Sequence, residues 1–161
     1  MLPEQLNGVQ EAAAIETHDP AAITGGNLNH GEITIEMDAA KIASVCRFLK
    51  DQQEYIRLVS VTALDHYPME PRFEVVYHLH SLANNRRLRI KCAVAESASI
   101  DSVTAVWRGA NWYEREVFDL FGIAFAGHPN LTRILMPDDW QGHPLRKDFP
   151  THGNKYSYQH E

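Results

Sequence analysis

At 161 residues with a formal net charge of −6, the chain is sized for one ordinary domain with a single core and short tails. The acidic balance excludes nucleic acid as the main partner, because phosphate recognition demands a basic field. No run approaches the ~20 apolar residues needed to cross a bilayer, and the start MLPEQLNGVQEAAAIE has neither a basic n-region nor a continuous apolar stretch, so the expected compartment is the cytosol.

Residues 1–31 read as a weakly ordered leader: EQLNGVQEAAAIE can make a helical turn or two before Pro20, Gly25, Gly26 and Gly31 break it. His18 and His30 are expected to be solvated there. From Glu32 the pattern sharpens, with Ile33, Ile35 and Met37 alternating against Glu32, Thr34 and Glu36 as in a half-buried strand. Asp38 then caps a helix whose Ile42, Val45, Cys46 and Leu49 share one face. Tyr55 to Ala63 is rich in β-branched residues and apolar on both sides, as a central strand would be. Two further alternating runs, Phe73 to His80 and Leu88 to Val94, flank Asn84-Asn85 and read as a β-hairpin. A short helix near Asp101 to Trp107 and a longer one from Asn111 to Gly122 complete a β-α-β-β-β-α-α order. That order makes the fold class α+β, a single sheet with helices packed on one face. The core domain runs over residues 32–127, and residues 128–161 form an extended C-terminal strap and exposed tail.

Chemistry-bearing groups are sparse. Cys46 and Cys92 both lie on apolar faces and read as small buried hydrophobes. Without a CxxC or four thiolates the chain offers no iron–sulfur ligand set, and no nucleotide-binding loop or nucleophile elbow appears. His78 and His80 share one strand face at a spacing metal sites use, yet no third and fourth ligands are evident, which favours ordinary polar-face residues. Arg87, Arg89 and Lys91 suit either a solvated strand face or an acidic partner.

The most informative stretch is NWYEREVFDLFGIAFAGHPNLTRILMPDDWQGHPLRKDF, residues 111–149. Asn111 is the expected N-cap, Glu114 its capping-box partner and Gly122 the stop. Tyr113, Val117, Leu120 and Phe121 form a core-facing stripe, with Phe118 and Trp112 pointing away from it and Arg115 pairing with Asp119 on the outer face. Glu114, Glu116 and Asp119 are spread around the axis, which argues for pairing rather than acid–base catalysis. Prolines at 129, 137, 144 and 150 then forbid helix or ladder, while Leu131, Ile134, Leu135, Trp140 and Leu145 are too apolar to float free. Long irregular segments of this kind are usually functional, here as a strap along the same domain or a neighbour.

The run Glu114-Arg115-Glu116, Asp119, Gly122, His128-Pro129-Asn130-Leu131, Arg133, Trp140 and Gly142-His143-Pro144-Leu145-Arg146-Lys147-Asp148 resembles the C subunit of the proton-translocating NADH:quinone oxidoreductase, respiratory complex I. One departure is Thr132, where the family usually has a basic residue or proline, with Arg133 beside it. The resemblance implies a non-catalytic structural subunit of the hydrophilic arm, with no catalytic, cofactor or metal residues of its own. Iron–sulfur clusters, FMN, NADH and quinone would sit on neighbouring subunits, and partners would be chiefly the quinone-site D subunit and the iron–sulfur subunits. The chain would then be peripheral, on the cytoplasmic face of the bacterial inner membrane, and attached indirectly. The family signature and expected interface comprise Trp112, Glu114, Arg115, Glu116, Phe118, Asp119, His128, Pro129, Arg133, Trp140, His143, Pro144, Arg146, Lys147 and Asp148. Two other readings are an equivalent subunit of a related membrane-bound hydrogenase-type complex and a stand-alone metal-binding domain or small enzyme using the nine histidines.

Overall fold

The computed structural model describes residues 2–150. Five strands form the main sheet in the order β1-β2-β5-β4-β3. They are β1 (Ile23–Asn29), β2 (Glu32–Met37), β3 (Arg57–Asp65), β4 (Phe73–Ser81) and β5 (Arg86–Val94). All neighbours are antiparallel except β2 and β5, so the sheet is mixed. A second, two-stranded parallel sheet joins β6 (Ser99–Asp101) to β7 (Ala124–Ala126). Three α-helices accompany the strands: α1 (Gln10–His18), α2 (Ile42–Gln52) and α3 (Ala110–Phe121). The α+β class read from the sequence is the one observed.

The period-two pattern explains the sheet's two faces. Phe73, Val75, Tyr77 and Leu79 of β4 and Leu88, Ile90, Cys92 and Val94 of β5 are buried, in one cluster with Ile42, Val45, Cys46 and Leu49 of α2 and Val117 and Phe121 of α3. The opposite face carries Glu74, His78 and His80 of β4 and Arg87, Arg89 and Lys91 of β5, with Val76 and Ala93 among them. The Asp38 carboxylate accepts from the Ala40 amide, starting a 3-10 turn that leads directly into α2.

Three expectations need correction. The stretch read as a weakly ordered leader folds onto the domain: Leu6, Ala12, Ile15 and Ala22 are buried in the main core, and β1 pairs with β2 as an edge strand. Burial of a few apolar side chains outweighs the glycines, and Gly26 is required because a Cβ there would meet the Thr34 carbonyl oxygen at 2.5 Å. His18 is exposed, as expected, but it also stacks on Phe48 with ring centroids 4.3 Å apart. The β-branched run read as a central strand is β3, at the opposite edge, paired to β4 alone and with Thr62 and Leu64 exposed. Residues 102–109 form turns rather than a helix, and the strand β6 precedes them. The segment THGNKYSYQHE, read as an exposed tail, lies outside the described residues.

Candidate functional site

α3 begins without a side-chain cap. Its N-cap is Gly109, and Asn111 and Glu114 do not form the expected capping box. Glu114 turns inward instead, accepting from the Ser102 hydroxyl at 2.6 Å and the Val103 amide at 2.7 Å. Burial pushes its carboxyl up to about 7, although those two donors pull the other way. His128 closes this pocket, with its side chain fully buried and Nε2 4.0 Å from the Glu114 carboxylate. The Asn130 amide donates to His128 Nδ1 at 3.0 Å, which leaves Nε2 to face the Asn111 carbonyl at 3.2 Å.

The other end of α3 organises the strap. Asp119 and Arg115 do not pair with each other. Asp119 is fully buried, and one of its oxygens accepts the consecutive backbone amides of Ile134, Leu135 and Met136 at 2.7–3.0 Å. Its other oxygen meets Arg133 Nη1 at 2.7 Å. Burial opposes ionisation of Asp119, but the three amides and the guanidinium outweigh it and hold the carboxyl below its ordinary value. Arg133 also donates to the Trp140 and Gly142 carbonyls, so one side chain gathers two turns of the strap. Arg115 donates to the Thr132 and Arg133 carbonyls while its guanidinium lies 5.3 Å from the Trp112 ring centroid. Thr132 thus contributes a backbone acceptor at the position where the family usually has a charge or proline.

Gly122 ends α3 in the left-handed region at φ 77°, as the sequence implied. A side chain there is excluded twice over, since a Cβ would lie 2.6 Å from Arg146 Nη2 and from the His143 ring. His143 bonds the Asp119 carbonyl and meets Phe118 edge-on at 6.3 Å, so Phe118 is half-buried under the strap rather than free. Arg146 donates to the Phe121 carbonyl at 2.6 Å and to Glu96 at 2.9 Å. These bonds occupy the carbonyls that α3 leaves without intrahelical donors.

A second anchor was not foreseen. Arg72, almost wholly buried, forks onto Asp65 at 2.9 and 3.0 Å and also reaches Glu96 and Asp148. The Lys147 amide donates to the same Asp65 carboxylate at 2.8 Å. Hydrogen bonds from Arg72 hold both Asp65 and Asp148 below the usual carboxylate range. The signal for this anchor was the lone Arg72 after Pro68 and Pro71, seven residues beyond Asp65. Its partner Asp148 lies 76 positions away, so spacing alone did not reveal it.

Most of the residues expected at an interface therefore do converge, on the face built by α3 and the strap. The strap lies along its own domain, one of the two seats its composition allowed. Three large apolar groups along this face stay exposed: Trp112 at 60%, Leu135 at 60% and Leu145 at 52%. Trp140 is half-buried, with its ring nitrogen enclosed and unpaired. Glu116, Pro129 and the Lys147 side chain are exposed and take no part in the network, while Pro144 is half-buried. His78 bonds Ser60 and Arg89, and among the described residues no three metal-binding side chains come together. The two thiols are buried; burial raises Cys46 well above its ordinary value and pushes Cys92 up to about 12. No helix among the described residues is long and apolar enough to cross a membrane.

Comparison with known proteins extends the same pattern. The chain is 52% identical over 125 residues to the NADH-quinone oxidoreductase C subunit of Geobacter sulfurreducens, covering 76% of this chain and 77% of that protein. It is 48% identical over 141 residues to the corresponding NADH-quinone oxidoreductase C subunit of Roseiflexus castenholzii, covering 86% and 81%. A chain in the solved structure of the membrane-bound sulfane sulfur reductase, an archaeal respiratory membrane complex, superposes with a TM-score of 0.76 at 26% identity, over 90% of this chain and 86% of that one. Residues 35–155 match the family described as respiratory-chain NADH dehydrogenase, 30 Kd subunit, and the chain belongs to that family.

Proposed function

We propose that this chain is a non-catalytic subunit of the hydrophilic arm of an NADH:quinone oxidoreductase, and that its α3 and strap face docks on the quinone-site subunit. The observation that carries the reading is the Asp119–Arg133 and Arg72–Asp148 lattice. It fixes about twenty residues of irregular chain against α3, so that Leu135 and Leu145 of the strap and Trp112 of α3 are presented outward as preformed apolar groups. Preorganisation lowers the ordering cost of binding, and exposed aromatics of this kind commonly anchor interfaces. The carboxylates of Asp65, Asp119 and Asp148 are committed to guanidiniums and amides and both thiols are buried, and on this reading the redox groups belong to adjacent subunits. Attachment to the cytoplasmic face of the membrane then follows indirectly, through those subunits.

The related-complex reading has one observation in its favour, the 0.76 superposition on a chain of the sulfane sulfur reductase complex. Identities near 50% to NADH-quinone oxidoreductase relatives, against 26% there, favour the quinone-reducing assignment.

Truncation after Gly127 tests the docking claim. Membrane NADH:quinone activity should be lost through failed assembly, and Arg146→Lys should give a milder defect, since lysine loses the fork between the Phe121 carbonyl and Glu96. A truncated chain that still assembles into an active complex would show that the strap is not the anchor.

A further inference from the structure

The open face of the main sheet is not uniformly solvated. Of its basic residues, Lys91 pairs with Glu74 at 2.9 Å, and Arg89 pairs with Glu32 at 2.9 Å while also reaching Thr34 and His78. Arg57 and Arg87 behave differently. Both are exposed, and neither has a carboxylate or hydrogen-bond partner among the described residues. The sheet register places them in one row, because Arg57 of β3 is opposite His80 of β4, and His80 is opposite Arg87 of β5. Side chains opposite one another on neighbouring strands share a face and stand about 5 Å apart at Cβ. The nitrogen Nε2 of the middle residue, His80, is enclosed and has no hydrogen-bond partner.

That row is unfavourable for the chain alone. Three arginines, Arg57, Arg87 and Arg89, lie toward one end of the face with only Glu32 paired among them, in a protein whose overall charge is −6. Like charges on one face of neighbouring strands cost stability. A carboxylate placed over the row would relieve that cost, accepting from the guanidiniums on either side of His80. Ile56 and Leu82, each next in sequence to this end of β3 or β4, are more than half exposed and add apolar contact at its rim.

We infer that the Arg57–His80–Arg87 row is a docking subsite for an acidic segment of a neighbouring subunit, separate from the α3 and strap face. The occupant is a protein segment carrying aspartate or glutamate, because carboxylates complement the two unpaired guanidiniums exposed on this sheet face. The inference rests on the chain's being part of a larger complex.

The test uses the complex purified from native membranes through a tag on this chain, carrying Arg87→Lys or, separately, Arg57→Lys. Each substitution keeps the charge and supplies an amine that a water-soluble carbodiimide couples to a carboxylate in contact. Mass spectrometry of the digested product should find an amide link from position 57 or 87 to an aspartate or glutamate of another subunit. If the complex co-purifies intact but both positions give no link, or link only within this chain, the subsite is refuted. If no other subunit co-purifies even with the unsubstituted chain, it is the assignment to a complex that fails. As a second readout, the double variant Arg57→Glu/Arg87→Glu should raise the loss of this chain from the complex in a salt wash at least tenfold, and unchanged retention would equally overturn the proposal.

Discussion

Replacing Asp119 with asparagine probes the lattice at its most concentrated point. The carboxylate is fully buried, accepts three consecutive amides and meets Arg133, so the substitution weakens four charge-assisted bonds without changing the side chain's shape. A hydrogen bond to a charged group is worth roughly 1.5–3 kcal/mol against about 1 for a neutral one. Four such changes exceed what the strap can lose, because once it lifts away its amides are satisfied by water. The cost is therefore capped by local opening, and about 3 kcal/mol is a reasonable expectation for breaking a buried pair of this kind. Amide hydrogen exchange read by mass spectrometry is the appropriate assay, since the amides of residues 134–136 are bonded to this side chain. At 1.4 kcal/mol per tenfold, exchange over those residues should accelerate roughly 100-fold, while β4 and β5 keep their protection. Unchanged exchange at 134–136 would show that Asp119 does not hold the strap. Equal acceleration in β4 and β5 would show that strap and core are one cooperative unit.

Glu114 makes a pH prediction of opposite sign to the paired aspartates. Its folded carboxyl titrates at about 7, above the unfolded value near 4.3, so the folded state holds the extra proton and stability falls as pH rises between those values. Chemical denaturation from pH 4.5 to 7.5 should show a decline of up to about 3 kcal/mol from this group, and Glu114→Gln should flatten it; an unchanged slope would refute the role. Gly122→Ala should loosen the strap, combining about 1–2 kcal/mol for left-handed backbone with a 2.6 Å clash against Arg146 and His143, and limited proteolysis within residues 128–149 should quicken. Trp112→Ala should shift the isolated chain's stability by no more than about 0.5 kcal/mol, because the ring is 60% exposed, yet weaken assembly at least tenfold in a competition pull-down. Equal assembly would remove Trp112 from the interface.

What was legible in the sequence followed from periodicity. The alternation from Glu32 to Met37 and from Phe73 to Val94 fixed strands, inward faces and the hairpin, and the spacing of Ile42, Val45, Cys46 and Leu49 placed α2. Strand order was not legible: β3 is apolar enough to be central, but edge or centre is decided by partners distant in sequence. At the site, residue types were legible and pairings were not. Arg115 and Asp119 are four apart on a helix and predicted each other, yet backbone amides and carbonyls of the strap outcompeted that exposed pair. Asp65 and Arg72 were passed over because their role depends on Asp148 and Lys147, about 80 residues on, and only the folded chain brings the four together. The leader read over residues 1–31 was undervalued because glycine and proline dominate its local signal, whereas burial of Leu6, Ala12 and Ile15 ties it to the core.

The central claim is membership of a quinone-reducing complex, and purification of the tagged chain from native membranes in mild detergent addresses it most directly. The account predicts that the quinone-site subunit and the iron–sulfur subunits co-purify in fixed proportion, with NADH:quinone activity in the same fraction. Recovery of the chain alone, or with the components of a hydrogenase-type complex and no NADH:quinone activity, would contradict it.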